Sequence, residues 1–407
     1  MSVDSAYATL YQPPLAFLPA SSALPAPDNR PVDSARLGSA LCGALETAER
    51  LLERLQRGVV AFGQIQNEVA RLDDWLSSLT DLLTPVLPVQ SSVEAVDARA
   101  YQLAVADFGV LLADACVVYD NYFGVVRLYP MTLWQLTAQV ARTAQAVLRD
   151  LPYTLLDRTQ IVMLVASMGR MLTTLAHYLP TAADSPMPAH STGAEMRRAF
   201  DPCWEQNETD DAQGSQSVAF YRWKVGHHFF NLCTIFCADA LRGAHAAIAA
   251  GDEETGEAQL ALADSFLRGT TAAMWYAGDF PANLYRDCVR PSMVMPGKAS
   301  GFSGDQNADY NRMKDAKDRL KEFLCQTYGP NLAALPPRLL RAFMQFHEAD
   351  IEDSEHHLII AAHKVGTDQS LAQKEWQAEL PGHIHRQKAV DVLREMAESK
   401  RREFSGV

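Results

Sequence analysis

Basic side chains are in the minority in this chain of 407 residues. Lys and Arg number 36 against 49 Asp and Glu, a formal net charge of −13. Nucleic-acid binding calls for a basic stripe against phosphates, so that class is excluded, and the acidic balance fits a self-repelling surface. Cysteine is sparse and scattered, at 42, 116, 203, 233, 237, 288 and 325, with no Cys-x-x-Cys pair. That spacing gives neither a disulfide framework nor a zinc site, and it predicts reduced thiols in the cytoplasm. No basic segment followed by a sustained apolar core opens the chain, so no signal peptide is expected. Every long apolar stretch is broken by charge within about 18 residues, which argues against a membrane-spanning helix. An alternating strand pattern of useful length and an internal repeat are both missing.

What the chain has is helical periodicity. Hydrophobic residues make up 48%, enough for a substantial core, and Leu, Ala and Val recur at i, i+3, i+4 and i+7. The pattern predicts helices over 36–61, 64–84, 93–127, 132–150, 155–178, 216–249, 253–277, 281–290, 305–327, 336–365 and 383–403. The fold class is therefore all-α, a multi-helix bundle with a proline-rich N-terminal arm. Residues 1–35, with Pro13, Pro14, Pro19, Pro25, Pro27 and Pro31, read as an irregular arm. Residues 36–179 form an N-terminal helical region. Residues 180–214, with Pro180, Pro186, Pro188, Gly193, Pro202 and Gly214, read as a loop or linker. Residues 215–407 form the helical region that carries the candidate chemistry.

That chemistry begins with two histidine pairs. His227 and His228 stand in Val-Gly-His-His-Phe-Phe-Asn-Leu, and His356 and His357 in His-His-Leu-Ile-Ile-Ala-Ala-His-Lys-Val-Gly. Each pair is expected to open an apolar helix. A neutral imidazole on such a helix is a natural axial ligand for haem iron, and a second can face a small ligand on the other side. His357 follows the acids Glu352, Asp353 and Glu355, and small Ala361 one turn on leaves room beside its ring. His356 and His363 are the alternative ligands, and Asp353 is in position to orient a ring. Phe229 and Phe230 supply aromatic walls, with Trp275 and Tyr276 as further candidates. Arg286 and Arg290, in Tyr285-Arg286-Asp287-Cys288-Val289-Arg290-Pro291, each offer a planar guanidinium to a substrate carboxylate. The loop Ser300-Gly301-Phe302-Ser303-Gly304 offers backbone N–H groups and hydroxyls to a propionate or carboxylate; it is not a Walker loop.

In order, these segments resemble the tryptophan 2,3-dioxygenase and indoleamine 2,3-dioxygenase superfamily of all-helical haem proteins. The family's distal histidine opens a His-Gln-x-Tyr-Glu-Leu helix, to which His227-His228-Phe229-Phe230-Asn231-Leu232 is similar. Its Phe-Arg-Asp, later Pro, and Ser-Gly-Phe-Gln-Ser correspond to Tyr285-Arg286-Asp287, Pro291 and Ser300-Gly301-Phe302-Ser303. The axial histidine followed nine residues on by glycine corresponds to His357 and Gly366. The resemblance covers about 215–370. It implies a bundle enclosing haem b, with His357 as proximal iron ligand and His227 as the distal residue. It implies Arg286 for the substrate carboxylate, and Ser300 to Ser303 lining the pocket near a propionate.

The chain departs from the pattern in three ways. Residues 292–299 are inserted, Arg290 is a second candidate for the carboxylate clamp beside Arg286, and the family's glycine-rich closing loop is replaced by Gly366-Thr367-Asp368-Gln369-Ser370. The expectation is a divergent haem-dependent oxygenase, a dioxygenase or monooxygenase of tryptophan, substituted tryptophan or tyrosine, using O₂ or peroxide. The alternatives are a haem-binding sensor or carrier without turnover, and a helical interaction protein. No nucleic-acid or membrane partner is expected, and the arm and the superfamily leave room for a homo-oligomer.

Overall fold

The structure is a computed structural model that describes residues 15–20, 24–25, 34–57, 62–87, 110–178, 216–293, 304–365 and 389–404. The expected linker at 180–214, the loop residues Ser300, Gly301, Phe302 and Ser303, and the Gly366–Ser370 segment lie outside these. Regular structure among the described residues is helical apart from one pair of short strands, so the all-α class holds. The main helices are α1 (Ser34–Gln56), α2 (Gln66–Leu83), α3 (Val110–Phe123), α4 (Leu133–Asp150), α5 (Arg158–Tyr178), α6 (Gln216–Ala249), α7 (Glu253–Ala277), α8 (Ala308–Tyr328), α9 (Pro337–Val365) and α10 (Ala389–Glu403).

Local chemistry sets several of these starts. Thr132 and Gln135 form a reciprocal capping box at α4, Asp252 accepts from the Thr255 N–H at α7, and Asn307 accepts from the Asp309 and Tyr310 N–H groups at α8. The antiparallel pair α6 and α7 is the centre of the bundle. α8 packs on α6, α5 and α9 pack on α7, and α1, α2 and α4 build outward from there. One apolar cluster runs through all of it, from Leu41 and Leu76 through Leu172 and Phe236 to Leu339. Gly226 permits the closest approach of α6 to α7: a Cβ there would come within 2.5 Å of the Ala277 Cβ and 2.7 Å of its Cα.

Three expectations are corrected. The arm is not irregular throughout: Ala16–Pro19 forms a buried strand, β1, parallel to β2 (Val125–Leu128), with Ala16 opposite Val125. Four residues buried on both faces carry no alternation, so the pattern gives no strand signal. The helix expected over 93–127 ends at Phe123, because Gly124 takes a positive φ of 69° and turns the chain into β2. The two histidine pairs do not open helices; both sit well inside α6 and α9. The acids before His357 are not a start signal, because neighbouring helices take them up. Glu352 pairs with Arg268, Asp353 accepts from Thr270 and Thr271, and Glu355 pairs with Arg401.

Candidate active site

Trp223, His227 and Asn231 follow one another at i+4 intervals and share one stripe of α6. The His227 Nδ1–H donates to the Trp223 carbonyl at 2.6 Å, as the geometry of a neutral ring requires. The imidazole stacks on Phe123 with centroids 4.0 Å apart and 18° between planes, and meets Trp223 at 4.3 Å and Tyr119 at 6.3 Å. Burial pushes it down to about 3, so it stays neutral at physiological pH. With the proton on Nδ1, the Nε2 lone pair is the reactive feature. The ring is packed among aromatic side chains yet only half-buried. His228 differs: it is fully buried, its Nε2–H donates to the Phe123 carbonyl at 2.5 Å, and burial pushes it down to about 4. It fixes α6 to α3.

His357 lies close enough to His227 that its charge opposes protonation of that ring. It belongs to the α9 stripe Asp350, Ser354, His357, Ala361, Lys364, whose other members are all buried. His357 alone on that stripe is exposed. His356 points elsewhere: its Nδ1 accepts the Trp275 indole N–H at 2.9 Å. A neutral ring that accepts at Nδ1 carries its proton on Nε2 and has no lone pair there for iron. His363 is exposed near the end of α9. Asp353 lies beside His357 but is held by the Thr270 and Thr271 hydroxyls.

An aromatic wall continues from His227. Trp223 meets Tyr285 edge-on at 5.6 Å, and Tyr122 meets Phe123 at 4.9 Å. Tyr285 opens a π turn, Tyr285–Val289, closed by the Arg290 N–H on the Tyr285 carbonyl. Pro291 accounts for it, since an α turn would press the prolyl ring onto the carbonyl four residues back. Ser292 donates to the Val289 carbonyl, and Tyr122 donates in turn to the Ser292 hydroxyl at 2.7 Å. Arg290 is half-buried and close enough to Tyr285 to act on its hydroxyl, which burial pushes up to about 12, whereas Arg286 is exposed. Phe229 is buried in the core, and Phe230 packs toward Tyr310. Trp275 and Tyr276 are buried, Trp275 serving His356 and Tyr276 donating to Asp150. Sequence reasoning missed Tyr119, Tyr122, Phe123 and Trp223. The signal was available: Trp223 precedes His227 by one turn, and Tyr119, Tyr122 and Phe123 share the i, i+3, i+4 spacing of a helix face.

These residues suit a haem. Among the described residues no three His, Cys, Asp or Glu side chains converge to hold a bare metal ion. His227 and His357 are near neighbours, and imidazoles are ordinary ligands and partners of a haem iron. The stripe also carries buried polar atoms without protein partners, the Asn231 Nδ2 and the Trp223 Nε1. The Trp223 N–H is close enough to influence the Tyr122 hydroxyl but outside hydrogen-bond geometry with it. Buried donors of this kind call for a ligand or water.

Residues 23–342 match the family model described as SfmD 3-methyl-L-tyrosine peroxygenase. That span takes in Tyr119, Trp223, His227, Tyr285 and Arg290 and stops short of His357. A 3-methyl-L-tyrosine peroxygenase of Streptomyces lavendulae is 35% identical over 86 residues, which are 21% of this chain and 24% of the relative. The crystal structure of reduced SfmD, soaked with sodium hydrosulfite, aligns over 84% of this chain and 98% of that one, at 18% identity and a TM-score of 0.41. The likeness to tryptophan and indoleamine 2,3-dioxygenases rests on the motifs alone. With about three quarters of its length matched, the chain belongs to the SfmD 3-methyl-L-tyrosine peroxygenase family.

Proposed function

We propose that this protein is a haem-dependent peroxygenase that puts one oxygen atom on the ring of a tyrosine-like amino acid. One observation carries the reading: a neutral His227, with its Nε2 lone pair uncommitted, neighbours an exposed His357 beside an aromatic wall. Family membership supports the peroxygenase class, and the motif likeness to the tryptophan dioxygenases supports haem b.

His357 would hold the iron, for His356 is committed to Trp275. The bound haem would supply activation of the oxidant. The chain's own residues do the rest. His227 Nε2 accepts a hydrogen bond from peroxide or from the substrate phenol and so orients it, while the Trp223 carbonyl keeps the ring in the Nδ1–H tautomer. Phe123 and Trp223 hold the imidazole between aromatic faces and exclude water from it. Arg290 is better situated than Arg286 to meet the substrate carboxylate, because it turns toward Tyr285 while Arg286 faces solvent. The overall change is ring C–H plus hydrogen peroxide to ring C–OH plus water.

The test is an absorption spectrum of protein expressed with a haem precursor, for wild type, His357→Ala and His356→Ala. A Soret band that collapses in His357→Ala and persists in His356→Ala is expected. A colourless wild type would overturn the reading. Peroxide-dependent hydroxylation of L-tyrosine analogues then tests turnover; haem without ring oxidation would leave a carrier.

A further inference from the structure

Lys224 is half-buried on α6, between Trp223 and the core residue Val225. Its Nζ sits 5.3 Å from the centroid of the Tyr122 ring. Several enclosed cations have carboxylates: Arg127 faces Asp120 and Asp309, Arg222 faces Asp150 and Asp279, Arg268 faces Asp264, and Lys317 faces Asp350, whereas buried Lys364 donates to the Phe280 carbonyl and Arg142, like Lys224, is lowered by burial alone. For Lys224 there is no ion-pair partner among the described residues, and burial alone lowers its affinity for the proton. An aromatic face steadies an ammonium but does not satisfy its three N–H donors.

The second cation at this place is Arg290. Tyr285 feels both Arg290 and the Tyr122 hydroxyl, and Tyr122 is bonded to Ser292, two residues beyond Arg290. Lys224 thus lies against the Tyr122 ring and Arg290 near Tyr285, two tyrosines close enough to influence each other beside the His227 wall. We propose that Lys224, together with Arg290, receives the carboxylate of the amino-acid substrate and makes the site selective for α-amino acids over ring compounds without a carboxylate. The inference rests on the function proposed above and deepens it. A charge-assisted pair in a partly enclosed site is stronger than a neutral bond, and Arg290 adds the planar fork.

The experiment is isothermal titration of haem-loaded protein with L-tyrosine and with tyramine, which lacks the carboxylate, on wild type, Lys224→Met and Lys224→Arg. Wild type is expected to prefer L-tyrosine. Lys224→Met should weaken L-tyrosine by about tenfold or more and leave tyramine unchanged, and Lys224→Arg should recover most of the loss. The Soret band should be the same in all three. A Lys224→Met protein that keeps the wild-type ratio, or weakens both ligands alike, overturns the proposal while haem and ring oxidation stand. A wild type that binds neither ligand overturns the proposed function and this inference with it.

Discussion

His227 and His228 are adjacent in sequence and opposite in use. His228 spends Nε2–H on the Phe123 carbonyl and is fully buried, whereas His227 spends Nδ1–H on its own helix, which leaves the Nε2 lone pair, and is half-buried. Replacing His228 by Ala removes a buried bond and leaves a void, so a loss of roughly 2–4 kcal/mol in urea unfolding is expected. His227→Ala should disturb the site more than the fold. Both rings also shape the response to acid. Their folded values, about 3 and about 4, lie below the ordinary 6.5, so the unfolded chain binds protons first as pH falls. The stability they confer is complete above about 6.5 and drains away between there and their folded values. His228→Gln retains a donor for the Phe123 carbonyl and removes the titration. Its stability should therefore fall less steeply from pH 6.5 to 4 than that of wild type; equal slopes would mean that His228 is not held neutral.

At the scale of elements, two short features aim the site. The π turn at Tyr285–Val289 sets the direction of Arg290, and Pro291 is its cause. Pro291→Ala frees the turn to relax into an α-helix, which rotates Arg290 against Tyr285. Weaker substrate binding with unfolding stability within about 1 kcal/mol of wild type is expected. At Gly226 the helices touch directly, and the approach is one residue from His227. Gly226→Ala should cost roughly 1–3 kcal/mol by overpacking against Ala277, read as a lower midpoint of thermal unfolding. These features also mark the limit of what the sequence reveals. The core helices α6, α7 and α9 are legible because their apolar periodicity is long. The π turn is not, because a single proline after five ordinary helical residues gives the same pattern as a simple helix end. The site is half legible. His227, Tyr285, Arg290 and His357 stand in recognisable order, but the α3 wall comes from a helix more than a hundred residues away in the chain. Nothing local links Phe123 to His227.

Over the whole molecule, two buried ionic groups hold that distant wall in register. Arg127 on β2 binds both oxygens of Asp120 on α3 and both of Asp309 on α8, at 2.8–2.9 Å. Asp120 neighbours Tyr119, and Asp309 neighbours Asn307, whose amide donates to Tyr119 and to Asn231. Arg222, just before Trp223, binds both carboxylate oxygens of Asp150 on α4, and one carboxylate oxygen and the carbonyl of Asp279 after α7. The aromatic wall around His227 is thus framed by charge. Arg127 offsets the cost of enclosing the two carboxylates, with Arg312 also reaching Asp309 at 3.5 Å. Burial raises Asp120, and Arg127 is the largest opposing influence. Removing Arg127 leaves two acids facing each other in the interior, a loss of roughly 3–5 kcal/mol. Arg127→Met should therefore be severely destabilised in chemical denaturation. Adding Asp120→Asn and Asp309→Asn to it should restore a large part, because neutral amides need no counter-ion. Failure of the triple variant to recover would mean that Arg127 acts through packing of β1 and β2 rather than through charge. Recovery of stability without recovery of the proposed haem binding would assign the frame to the site itself, since Tyr119 and Asn231 are bonded to Asn307 at the start of α8.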